Sequence, residues 1–77
     1  MKRVELTLEA FKSCREKPST VLLTKIMEMS AGEEIEIVGE EEVFPLKLLE
    51  RLLDAEGVDV LEKDSDGITY RVKGKKR

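Results

Sequence analysis

Two neighbouring stretches decide the fold: Val21-Leu22-Leu23-Thr24-Lys25-Ile26-Met27-Glu28-Met29 and Glu34-Ile35-Glu36-Ile37-Val38. In the first, Leu22, Ile26 and Met29 recur at spacings of four and three, which lines them along one side of a helix. In the second, Ile35 and Ile37 alternate with Glu34 and Glu36, the period of a half-buried strand. Pro18 suits the first turn of the helix, where its missing N–H costs nothing. Gly32 is placed to stop it. Met27 and Met29 read as core filler rather than sulfur ligands. The chain therefore switches from helix to strand within one short segment.

Upstream, Val4-Glu5-Leu6-Thr7-Leu8 alternates, so a first strand buries Val4, Leu6 and Leu8 on one face. Glu9 to Lys17 has little periodicity and reads as a loop. Downstream, Gly39 and Glu40-Glu41-Glu42 form a turn, and Pro45 opens a second helix. Its apolar stripe is Leu46, Leu49 and Leu53, widened by Leu48 and Leu52, and Gly57 closes it. Val58 to Leu61 opens a third strand. Asp64-Ser65-Asp66-Gly67 is a turn carrying the Asp-Gly hairpin signal, and Ile68 to Val72 is the fourth strand. Residues 73–77 read as a mobile basic tail.

The order is β-α-β-α-β-β over a single domain, 1–77. Each helix follows a strand and returns to one, so both can lie on one face of a four-stranded mixed sheet through right-handed crossovers. The expected fold is an α/β two-layer sandwich, with the second sheet face open to water or to a partner.

The composition removes whole chemistries. A chain of 77 residues buries only about 60% of its unfolded surface, so the core must be lean. There is no His, which excludes histidine triads, His-ligated metals and an imidazole switch. One Cys makes no intramolecular disulfide and no Cys-rich zinc site. No apolar run approaches the roughly 20 residues that span a bilayer. The charged start lacks the apolar stretch of a signal peptide, so a cytoplasmic protein is expected. Charge dominated by Glu and Lys, with no Asn or Gln, fits a thermophile protein.

The net charge is −3 and unevenly spread. Six acids and no base lie between Glu33 and Glu42; five bases and no acid lie between Arg71 and Arg77. Read alone, these are a solvated edge and a frayed tail.

The residues also resemble a known family. Leu8-Glu9 stands where TusA-like (SirA-like) sulfur carriers have Leu-Asp after the first strand. Pro18 stands at the second Pro of their Gly-Leu-x-Cys-Pro-x-Pro loop. Thr24, Lys25, Gly32-Glu33 and Phe44-Pro45 fall where the family often has Thr, a basic residue, Gly-Glu and Ile-Pro. The resemblance covers nearly the whole chain and shares its length and element order. In the gapless match Arg15 takes the place of the family's Cys, Glu16 that of its first Pro and Lys12 that of its Gly; Cys14 comes one residue early.

The resemblance implies a thiol that accepts sulfur as a persulfide and hands it on, with sulfur-donor and sulfur-acceptor proteins as partners. Cys14 is the catalytic candidate. A thiolate is needed, and helix N-termini and nearby cations favour one. Pro18 marks such a terminus, and Lys12, Arg15 and Lys17 surround Cys14. No metal or cofactor is implied.

Three other readings use the same residues. Lys12, Arg15 and Lys17 could hold a phosphate or carboxylate, although no Gly-rich phosphate loop is present. RNA- or DNA-binding domains of Alba-like or translation-factor type share the element order, but acid excess and scarce aromatics weigh against nucleic acid. A non-catalytic TusA-like interaction or regulatory subunit would use the scaffold alone, and Arg15 at the family's Cys position favours it. The acidic run lacks the spaced oxygen ligands and glycine of a calcium loop and reads as a wet rim.

Overall fold

Thr7 ends the first strand earlier than the alternation implies. Its hydroxyl accepts from the Ala10 N–H at 3.1 Å, so the chain turns into a helix before Leu8 can take a strand position. The computed structural model describes residues 2–12 and 15–77. Its order is β1 (Lys2–Leu6), α1 (Leu8–Phe11), α2 (Pro18–Met27), β2 (Glu34–Glu40), α3 (Leu46–Ala55), β3 (Val58–Ser65) and β4 (Thr69–Lys76).

The sheet order is β1-β2-β4-β3. β1 and β2 are parallel; β4 runs antiparallel to both β2 and β3. Both crossovers therefore return over one face, and the structure is the expected α/β two-layer sandwich with a mixed four-stranded sheet. Val4 and Leu6 of β1, Ile35 and Ile37 of β2, Tyr70 and Val72 of β4 and Val58 of β3 all point to the helix side. They meet Leu22 and Ile26 of α2 and Leu49 and Leu53 of α3 in one core. The helical stripe and the strand alternation thus describe two halves of the same apolar layer.

Several expectations are corrected. Two helices were expected and the described residues form three, the extra one being the single turn α1 inside the expected loop. Leu8, expected in the core, is 70% exposed. α2 stops at Met27, short of Gly32, and Met27 faces solvent while Met29 is buried. Gly39 belongs to β2 rather than to a turn. The reason is steric: a Cβ there would lie 2.5 Å from the Tyr70 ring and hydroxyl, so only glycine lets β4's tyrosine cross β2. Leu48 is half exposed.

The 73–77 stretch is not a free tail. β4 runs to Lys76, pairing with β2 on one side and β3 on the other. The Arg77 N–H donates to the Gly57 carbonyl at 2.9 Å, and Lys76 Nζ donates to the Ile26 carbonyl at 2.9 Å, in the last turn of α2. A cation there suits the negative end of the helix dipole.

Candidate functional site

Because β1 and β2 are parallel, their carboxyl ends share one edge of the sheet. Three helices begin at that edge: α1 and α2 after β1, and α3 after β2. Clefts at the carboxyl ends of parallel strands are where open α/β sheets bind ligands. The chemistry of this edge depends on how each helix start is satisfied, since the first N–H groups of a helix have no internal partner.

The acidic run satisfies two of the three. Glu40, the last residue of β2, accepts from the Leu8 N–H at 2.6 Å and so caps α1. Glu41 accepts from the Leu46 N–H at 3.3 and 3.4 Å and caps α3. Both carboxylates also oppose the positive end of the helix they cap. The run expected to be a wet rim is therefore in part a pair of helix caps, reached across 32 and 5 positions of chain. Among the described residues no cluster of acids, Cys or His is arranged to hold a metal ion.

The start of α2 differs. Lys17 is its N-cap and makes no side-chain cap bond, Pro18 occupies the first turn, and that turn contains no acid. The Thr20 and Val21 N–H groups both donate to the Lys17 carbonyl, at 3.0 and 3.1 Å. Lys12, Arg15 and Lys17 are all exposed. Lys12 ends α1, its N–H donating to Glu9 at 3.4 Å. The structure thus brings the three bases and Pro18 to one connection between α1 and α2. Cys14, with Ser13, lies outside the described residues.

A second constellation, on the open face of the sheet, escapes sequence reading. Glu36 is only 6% exposed. Arg3 Nη1 donates to its Oε1 at 2.8 Å, and Arg71 Nε and Nη2 donate to its Oε2 at 2.9 and 2.6 Å. The Arg71 hydrogen bonds hold the Glu36 carboxyl below its ordinary value against the opposing effect of burial, and the charges of Arg71, Arg3 and Lys73 add to this. Around it the columns alternate in sign. Glu34 faces Lys75, which faces Asp59; Glu36 faces Lys73, which faces Glu62. Arg71 faces Asp64. The acidic run and the basic run, far apart in sequence, are cross-strand neighbours. A shallow hollow of about 300 Å³ lies among Glu36, Glu62, Lys63, Asp64, Arg71 and Lys73.

Tyr70 is another polar residue whose role the sequence does not reveal. Its hydroxyl donates to the Phe44 carbonyl at 2.6 Å inside the core. Burial, with the charge of Glu41 adding, pushes its pKa up to about 12. It locks the turn before α3 and stays protonated near neutrality.

The fold and this edge define a small two-layer α/β sandwich in which, among the described residues, the start of α2 has no side-chain cap and follows exposed Lys12, Arg15 and Lys17. Among the described residues no helix is long and apolar enough to cross a membrane. No family model, curated protein or solved structure matches the chain.

Proposed function

We propose that this is a TusA-like sulfur carrier that holds a persulfide on Cys14 and passes it to a partner protein. The observation that carries the reading is the start of α2: a ten-residue helix with no acid in its first turn and, among the described residues, no side-chain cap, reached through the connection that bears the chain's one cysteine. Exposed Lys12, Arg15 and Lys17 add positive charge there. Positive potential favours thiolate over thiol, and thiolate is the nucleophile.

The step needs no oxidant. The Cys14 thiolate attacks the outer sulfur of a donor protein's persulfide. A new S–S bond forms at Cys14, the donor's S–S bond breaks, and the donor leaves as its thiolate. Transfer to an acceptor thiolate repeats the exchange in the other direction. The wider setting proposed is a reducing, cytoplasmic one in a heat-adapted cell; the alternating ion columns of the open face suit heat, where charge desolvation costs less.

The test is to incubate the protein with a persulfide-loaded donor and weigh it intact. The expected result is a gain of one sulfur atom that is removed by a reductant and absent in Cys14→Ala. No gain, or a gain that survives Cys14→Ala, ends the proposal. The second reading is a non-catalytic interaction subunit. It is favoured by Arg15, which stands exposed at the position of the family's Cys, and it gives no sulfur gain in the same experiment.

A further inference from the structure

We propose that the outer edge of β3 is a docking edge for an extended segment of a partner protein carrying bases at alternate positions. β3 is the last strand of the sheet, so among the described residues one side of its backbone has no neighbouring strand. Seven consecutive residues, 59–65, are exposed. An uncovered strand edge is a template for a further strand.

The side chains state which strand fits. Directly opposed residues of an antiparallel pair share a face. Asp59, Glu62 and Asp64 oppose Lys75, Lys73 and Arg71 and so stand on the open face. Every residue that β3 sends to that face in register with β4 is acidic. Two columns run acidic on β2, basic on β4 and acidic on β3, through Glu34, Lys75 and Asp59 and through Glu36, Lys73 and Glu62; in the third, Val38 and Asp64 flank Arg71. The next column that continues the alternation is basic. Asp59 already pairs with Arg77 at 3.1 Å. Among the described residues, Glu62 and Asp64 have no cation within ion-pair distance.

The same pattern rejects a second copy. Two β3 strands laid antiparallel with faces matched set carboxylate against carboxylate, which is destabilising. The bulge between Val60 and Glu62 further disfavours indiscriminate pairing. It leaves Glu62 to Ser65, which includes the two unpaired acids, as the regular part of the edge. The edge is thus selective rather than closed, and its use is independent of Cys14.

The experiment uses the full chain and three synthetic peptides. One alternates Lys with Val, one alternates Glu with Val, and one is the Lys peptide N-methylated at every second residue, which keeps the charge but removes one edge of donors. The Lys peptide is expected to slow amide exchange within residues 59–65. It should bind about tenfold or more tighter than the methylated and Glu peptides, and Glu62→Lys with Asp64→Lys should weaken it about tenfold. Equal affinity for methylated and unmethylated peptides would mean charge attraction without strand pairing, and would overturn the proposal. So would protection confined to other strands, or protection of 59–65 that grows with protein concentration alone. Should the double variant not fold, the methylated comparison on the natural chain still decides.

Discussion

Arg71 places two donors on one oxygen of Glu36, at 2.6 and 2.9 Å, while Arg3 holds the other oxygen at 2.8 Å. This joins β1, β2 and β4 on the open face through one carboxylate.

The pH dependence follows from that geometry. Glu36 has a folded pKa below its ordinary 4.5, so its contribution to stability is present above pH 4.5 and is lost as the pH falls through the folded value. Arg71→Met removes the largest cause of the depression. We expect the variant to unfold at lower temperature than the natural protein near neutrality, and the gap to narrow as the pH drops below 4.5. Thermal unfolding at a series of pH values checks this. Asp66, held low by the Thr69 and Ile68 N–H groups, loses its own contribution in acid equally in both proteins.

Gly39→Ala is expected to cost about 1–3 kcal/mol by overpacking against the Tyr70 ring. Tyr70→Val opens that space, so the alanine should cost much less in the Tyr70→Val background. A double-mutant cycle by denaturant unfolding measures the coupling. Independent, additive costs would show that the ring does not determine the glycine.

Tyr70 is the single tyrosine in a chain without tryptophan, so its ionisation is read cleanly by near-ultraviolet absorbance. The folded midpoint is expected near 12 and the unfolded one near 10. A raised folded value means that its contribution is full below pH 10 and lost as the pH rises through about 12. Tyr70→Phe strands the buried Phe44 carbonyl and should cost about 1–3 kcal/mol.

Glu40→Ala removes the acceptor for the first N–H of α1. Loss of a helix cap costs about 1 kcal/mol, and a single-turn helix has little else to hold it. Amide exchange at Leu8 to Phe11 should rise while that of the core strands stays unchanged.

Replacing Lys12, Arg15 and Lys17 together with Gln tests the basic connection. At neutral pH the alkylation rate of Cys14 should fall severalfold, as thiolate is withdrawn. An unchanged rate would remove the electrostatic argument for a reactive thiol.

What could be read in advance was what depends on near neighbours. Leu22, Ile26, Leu49 and Leu53 announce their helices and their burial by spacing alone, and Met29 its burial, although α2 ends before it. Pro18 and the Asp66-Gly67 turn announce their places because proline and glycine restrict or free their own backbone. Thr7 was the exception, a cap signal hidden inside an alternating run. The adjacency of bases and proline around Cys14 is visible in the sequence, but Cys14 lies outside the described residues.

The α/β class and, apart from the single turn α1, the helix and strand order were thus determined by the sequence itself, because period and turn chemistry are local. Tertiary structure alone decided that Glu36 sits between Arg3 and Arg71, that Glu40 caps α1, that Gly39 makes room for Tyr70 and that residues 73–76 are strand. Each of these relations joins residues about 30 or more positions apart, or depends on which strand lies beside which. The sheet order β1-β2-β4-β3 sets those neighbours, and with them it turns an acidic run and a basic run into facing columns of one surface.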